Sequence, residues 1–306
     1  MQSTESRFLY DALSFTSKIH STQDFIELLG LTGVVFQNVN GGHGYRDRLY
    51  YEGISIHYNG REDMGIWCEM SGQGCRAFES FGNGNYDAIF ELVLTEEKDM
   101  NLTRLDVAFD DKDGLLDLDR ICEDTHNHEY VSTFRNHEVI YGYPHGNSLY
   151  FGSKKSDFFI RFYDKAKERG FEDGRHWLRI ELQLRRSYAV SFVKKQGSMQ
   201  TKFLGALKNS VRFVSDNGTD SNKWRWDMKS YWAKFLAGVE AIKLFDRPGV
   251  DYNVANLERF VINQSGASIR AYVAIFGKEA LFDAITRHGC SFNAKQIELI
   301  RKWGKL

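Results

Sequence analysis

Proline is almost missing from this chain. Only Pro144 and Pro248 occur among 306 residues, which excludes a polyproline segment or proline-rich linker. Cysteine is scarce too. Cys68, Cys75, Cys122 and Cys290 contain no Cys-x-x-Cys spacing. That argues against a zinc ribbon or a dithiol motif and favours a reduced, cytoplasmic chain. No apolar run approaches the ~18 residues of a membrane span. The opening MQSTESRFLYDAL lacks the basic and apolar regions of a secretory signal. Net charge is also nearly absent, with 40 Lys and Arg against 41 Asp and Glu.

That neutrality hides a division. Residues 1–153 hold 11 Lys and Arg against 25 Asp and Glu, a balance of −14. Residues 154–243 hold 20 against 10, a balance of +10, and residues 244–306 hold 9 against 6. A long basic block interleaved with aromatics suits a polyanion, and an acidic block suits bound cations.

Periodicity divides the chain as well. Strands are expected at 11–19, 34–38, 46–52, 54–58, 64–70, 102–110, 138–142, 148–152, 158–165 and 177–186. Helices are expected at 22–30 (capped at Thr22), 75–81, 86–98 and 116–126. This is an α+β pattern on a mostly antiparallel central sheet with flanking helices, spanning 1–187. From 188 to 306 the period turns helical. Leu204, Leu207, Val211 and Val214 recur at helical spacing, as do Trp232, Phe235, Leu236, Val239 and Ile242. Further helices are expected at 254–262, 267–287 and 293–303, making 188–306 a helical region for DNA binding or dimerisation.

Three strands carry one apolar and one charged face, because residues two apart point the same way. Asp106 and Asp110 oppose Leu105, Val107 and Phe109. Arg161, Tyr163 and Lys165 oppose Ile160 and Phe162. Arg179, Glu181 and Gln183 oppose Ile180, Leu182 and Leu184. Carboxylates, guanidinium groups and a tyrosine on neighbouring strands are the parts of metal-assisted phosphoryl transfer. Asp and Glu oxygens suit Mg²⁺ or Mn²⁺, and a tyrosine hydroxyl can attack phosphorus. An antiparallel sheet with one solvated side would show the same alternation.

At these residues the sequence resembles a known family. Gly-Asn-Ser-Leu-Tyr-Phe-Gly-Ser at 146–153, running to Phe-Ile-Arg-Phe-Tyr-Asp-Lys-Ala-Lys-Glu at 159–168, is similar to the nicking motif of the Rep_trans rolling-circle replication initiators. Arg-Leu-Asp-Val-Ala-Phe-Asp at 104–110, Trp-Leu-Arg-Ile-Glu-Leu at 177–182 and Cys-Glu-Met-Ser-Gly-Gln-Gly-Cys-Arg at 68–76 match in the same order. The resemblance covers about 64–186 well and the C-terminal part weakly. It implies a nicking enzyme whose nucleophile is Tyr163, leaving a 5′-phosphotyrosyl link and a 3′-OH primer. It implies a divalent metal (Mg²⁺ or Mn²⁺) on Asp106 and Glu181, with Glu69 and Asp110 next. Arg161, Lys165, Arg179, Lys154 and Lys155 would contact DNA. Single-stranded or extruded origin DNA, a host helicase, a DNA polymerase and a second copy of the chain would be partners. A conjugative relaxase, a nuclease using water and a non-catalytic DNA-binding protein are the alternatives.

Other signals are weaker. Many nicking enzymes hold metal through His-hydrophobe-His, and the nearest triplet here is His126-Asn127-His128. Tyr188, after Arg185-Arg186, is the rival tyrosine. His57 and His176 read as structural histidines, Gly41-Gly42-His43-Gly44 as a turn. Trp224, Trp226, Tyr231 and Trp232 among Lys223, Arg225, Lys229 and Lys234 suit either nucleic acid or core.

Overall fold

The computed structural model describes residues 6–142, 146–216, 218, 220–244, 254–259, 261–262, 265–287, 297, 300–302 and 304. The chain groups into two compact units, 1–245 and 246–306.

The first unit is built on one antiparallel sheet. In chain order its strands and helices begin with β1 (Arg7–Ser17), α1 (Thr22–Leu28), β2 (Gln37–Asn40), β3 (Asp47–Tyr51), β4 (Ile54–Tyr58) and β5 (Ile66–Met70). Then come α2 (Gly72–Phe81), α3 (Tyr86–Thr95), β6 (Met100–Asp111), α4 (Leu118–His126), β7 (Tyr130–Ser132), β8 (His137–Ile140) and β9 (Ser148–Phe151). The unit continues through β10 (Phe158–Asp164), α5 (Lys165–Glu168), β11 (Leu178–Arg185), α6 (Ser187–Lys194), α7 (Met199–Ser210), β12 (Val211–Phe213) and α8 (Ser230–Phe235). The ten-stranded order is β2-β3-β4-β5-β1-β6-β11-β10-β9-β8; β7 and β12 pair separately.

Alternation places the core. Phe15, Ile56, Cys68, Leu105, Val107, Ile160, Phe162, Ile180 and Leu182 are all buried in one apolar cluster. Helix starts are fixed by side chains that accept from orphan N–H groups. Ser21, one residue before the expected Thr22, caps α1 in a reciprocal box with Asp24. Ser71 caps α2 and Asp117 caps α4.

The expected break at 187 falls inside the first unit. Ala189, Phe192, Phe203, Leu204, Leu207 and Trp232 belong to the same buried cluster as the sheet, so α6, α7 and α8 are part of this fold. Two helical spacings also stop early. After α7, Val211–Phe213 leaves the helix to pair with β7. After α8, Ala237 (φ 47°) and Gly238 (φ 72°) take left-handed backbone that ends helix before Val239 and Ile242.

In the second unit α9 (Val254–Arg259), α10 (Gly266–Phe276) and α11 (Lys278–Arg287) are helical. The expected helix at 267–287 is divided at Gly277 (φ 87°); most of 293–303 lies outside the described residues. Among the described residues no helix is long and apolar enough to cross a membrane. Cys68, Cys75 and Cys122 are buried and free.

Candidate active site

The site is assembled by register on β6, β11 and β10, the neighbours that hold the three charged faces. Arg161 stands opposite Glu181 and Tyr163 opposite Arg179. On the other side of β11, Arg179 stands opposite Asp110, and Gln183 opposite Asp106. Asp106 and Glu181 are thus diagonal neighbours on adjacent strands, within reach of each other. The face was expected to be wet. It is polar but dry: Asp106 is 2%, Arg179 4% and Glu181 0% exposed. Charges survive there because each is matched, since an unmatched buried charge would cost several kcal/mol or more.

Arginine supplies every match. Arg161 Nη2 donates to both oxygens of Glu181, at 2.6 and 2.7 Å. Arg179 grips Asp110 with two bonds, Nε to Oδ1 at 2.6 Å and Nη2 to Oδ2 at 2.8 Å. Its third nitrogen, Nη1, lies 2.7 Å from Asp11 Oδ2. Arg104 Nε donates to Asp106 Oδ1 at 2.9 Å, and Arg104 Nη2 to Gln183 Oε1 at 3.2 Å.

Tyr163 sits at the centre, 8% exposed. Its hydroxyl donates to Glu181 Oε2 at 3.3 Å. Arg161 Cζ and Lys165 Nζ lie 5.1 and 5.3 Å from its ring centroid, distances at which a cation is attracted to the π-face. Burial, then the charge of Glu181, raises the phenol above its ordinary value. Burial, then the charge of Asp106, pushes Glu181 up to about 7. Burial and then Arg179 lower Lys165, whose Nζ meets Glu168 at 2.7 Å. The arrangement can hold a phenol against a carboxylate that titrates near neutrality, with cations placed for a phosphate.

Among the described residues no group of three His, Cys, Asp or Glu side chains forms a protein cage for a cation. The Asp106–Glu181 pair is chemically suited to a lighter hold. Two carboxylates side by side on adjacent strands favour a cation between them, and Mg²⁺ keeps several waters while taking one or two carboxylates and phosphate oxygens. Arg104 and Arg161 already hold Asp106 and Glu181, so a cation there would displace them. Of the other two expected ligands, Asp110 is diagonal to Glu181 in the same way as Asp106. Glu69 lies on β5 and its Oε1 is 3.1 Å from His57 Nε2; Asp110 is held by Arg179.

The remaining expected residues scatter. Lys154 and Lys155 are exposed between β9 and β10, Lys154 Nζ lying 5.2 Å from the Tyr150 centroid. Tyr188 is on α6, its ring 5.4 Å from that of Phe158. His126 ends α4, and His128 lies beyond it with φ 57°. His176 Nε2 meets the buried Asp111 at 3.2 Å. Trp226 and Trp232 are buried, whereas Trp224 is exposed.

Asp11 and Arg104 were not singled out from the sequence. Asp11 reaches Arg179 because β1 bulges there: Tyr10 pairs with Val107 and Ala12 with Asp106, leaving Asp11 over. The available signal was a lone carboxylate inside the apolar run Phe8-Leu9-Tyr10-Asp11-Ala12-Leu13.

Two family models match, one after the other along the chain. Residues 8–94 match the rolling circle replication initiation protein N-terminal domain, and residues 100–283 match the replication initiation factor family. The second match alone covers more than half the chain.

The chain belongs to the replication initiation factor family.

Individual proteins agree with this membership. The chain is 28% identical over 263 residues to "Putative DNA relaxase NicK" of Bacillus subtilis (strain 168), covering 80% of this chain and 74% of that protein. It superposes with a TM-score of 0.70 and 30% identity on the rolling circle replication initiator protein from Geobacillus stearothermophilus, over 78% of this chain and 98% of the other. The α+β fold with its large antiparallel sheet is that of a replication initiator. The boundary between the two family models, between residues 94 and 100, falls just before β6, so Asp106, Tyr163 and Glu181 lie in the second matched segment.

Proposed function

We propose that this protein nicks one strand of origin DNA through Tyr163 and stays joined to the 5′-phosphate, freeing a 3′-OH that primes rolling-circle replication. The observation that carries the reading is the Tyr163 hydroxyl directed at Glu181, with Arg161 and Lys165 over its ring. Family membership supports the DNA substrate and the nicking class.

Oη of Tyr163 attacks phosphorus as the P–O3′ bond breaks; its proton passes to Glu181 Oε2, a carboxylate whose affinity for protons is raised to near neutrality, and the departing 3′-oxygen takes a proton from water to become the 3′-OH. Arg161, Lys165 and Arg179 offset charge on the phosphate and the phenolate. Arg179, fixed by Asp11 and Asp110, cannot swing away. Asp106 and Glu181 would hold a Mg²⁺ or Mn²⁺ ion, which when bound polarises a phosphoryl oxygen. Lys154 and Lys155 would add phosphate contacts. A host helicase and DNA polymerase would act on the product.

The identity to NicK favours a second reading with the same chemistry, nicking at a transfer origin instead of a replication origin. The test common to both is covalent capture. Wild-type protein incubated with single-stranded origin DNA and Mg²⁺ should yield a denaturant-stable adduct, with the nucleotide on Tyr163 by peptide mass spectrometry. A nick without an adduct would make water the nucleophile.

A further inference from the structure

A cleft of about 970 Å³ opens on the polar face beside Asp106 and Arg161 and runs toward β3, β4 and β5. Strand register explains its shape. Tyr50, Ser55, Glu69, Ser14, Arg104 and Arg185 are successive partners across six strands. Ser55 and Ser14 are short, so the middle of this rung forms a low floor between larger ends.

The ends differ in chemistry. Tyr50 and Trp67, both half-buried, line one end; Arg104, Arg161 and Arg185 line the other. The aromatic end is braced. Buried His57 stacks on Trp67 with centroids 4.6 Å apart and planes 20° apart. The Arg48 guanidinium lies 5.6 Å from the Tyr50 centroid. Rings held this way lose little freedom when a ligand arrives. At the cationic end, Arg161 Nε and Arg185 Nε are buried without a hydrogen-bond partner.

We infer that this cleft is a subsite for an unpaired nucleotide of the bound DNA strand, its base against Trp67 and Tyr50 and its phosphates on Arg104 and Arg185. The inference rests on the reading of the chain as a DNA-nicking protein and specifies where the strand runs. Glu69 sets the direction. Held by His57, it stands on the cleft floor, repels phosphate and accepts from a base amino group. Base goes to the aromatic end and backbone to the arginines. A duplex cannot bind so, because the faces of paired bases are already stacked. Trp67 lies four strands from Tyr163, and its register position on β6, Asn101, is far along that strand from Asp110, the register position of Tyr163, so the nucleotide is not the scissile one.

The test separates bases from phosphates and uses the full chain carrying Tyr163→Phe, so that no covalent step enters. Two probes of equal length are titrated by fluorescence anisotropy: a mixed-sequence single-stranded oligonucleotide and the same backbone with every base replaced by an abasic site. Stacking on one aromatic is lost in Trp67→Leu, which should weaken binding of the base-bearing probe about five- to 150-fold. Binding of the abasic probe should not change. Trp67→Phe should recover part of the loss, and Tyr50→Leu should show the same selectivity from a different strand. Equal losses on both probes in both leucine variants, or no loss on either probe, would overturn the inference. Base-selective loss in a protein that forms no adduct would leave this subsite standing and sink the nicking reading.

Discussion

The hydroxyl of Tyr163 lies 3.3 Å from Oε2 of a carboxylate that is wholly buried, Glu181. A phenol held so is protonated at rest and has its proton acceptor already in place. Tyr163→Phe deletes one oxygen and keeps the ring between Arg161 and Lys165. Stability should change by no more than about 1 kcal/mol, the worth of one hydrogen bond, while adduct formation should disappear. Gel-resolved covalent capture reads the second effect and urea unfolding the first. Tyr188→Phe should still form the adduct.

Glu181 makes stability depend on pH in an unusual direction. Its proton affinity is raised from the ordinary 4.5 to about 7, so between those values the folded state holds a proton that the unfolded state releases. The contribution is full at acid pH, falls as pH rises through that window, and is gone above it. Glu181→Gln carries no such charge. The melting temperature of the variant minus that of wild type should therefore increase from pH 5 to pH 8. An offset that is the same at both ends would mean Arg161 neutralises Glu181 fully.

Chelation should stop nicking, and Mg²⁺ or Mn²⁺ should restore it, if Asp106 and Glu181 hold a cation beside phosphate. Asp106→Asn keeps the shape and removes the charge, and it should lower the nicking rate at saturating DNA and Mg²⁺. Isothermal titration with Mn²⁺ offers a readout independent of turnover: the wild type should bind and Asp106→Asn should bind more weakly. Undiminished nicking in excess chelator would remove the metal.

Arg179 is the keystone of the buried charges, hydrogen-bonded to Asp110 and ion-paired with Asp11 at once. Arg179→Met leaves Asp110 buried and unmatched, at a cost of about 3–5 kcal/mol. Adding Asp110→Leu should recover much of that loss, because the uncompensated charge goes with it. Chemical denaturation of the single and double variants measures both numbers.

DNA affinity should fall steeply with salt. Each phosphate neutralised by lysine or arginine releases counterions, giving a slope in log K against log salt of about −0.7 per contact on single strands. Lys154→Glu with Lys155→Glu should flatten that slope and weaken binding to random and origin DNA alike.

Most of the sheet was legible because alternation survives wherever one face meets a core, as on β6, β10 and β11. The same alternation put Asp106, Tyr163 and Glu181 on the charged face, and the resemblance to the initiator family picked them out among their neighbours. It was silent on hydration: a period of two says which side a residue faces and not whether water is there. The site is dry because arginine matches each acid, and that needed the register between strands. Asp11 was invisible for a related reason, since a bulge breaks the very period by which faces are read. Val211 misled because a β-branched residue at helical spacing also suits a strand, and β7, its partner, lies about 80 residues earlier.

The strand order has a consequence for how the chain becomes structured during synthesis. β1 has its two neighbours, β5 and β6, once residue 111 has emerged, but the other side of β6 waits for β11, which ends at Arg185. Until then β6 is an open edge with unpaired backbone groups, the kind of edge that recruits other chains. Asp106 and Asp110 carry their charges on that edge, where they discourage a wrong partner. When β10 and β11 arrive together, Arg179 meets Asp110, and the acid that kept the edge open meets the group that closes it. Docking of this long-range pair is expected to be the slow step of folding. Arg179→Met should then slow refolding more than it speeds unfolding.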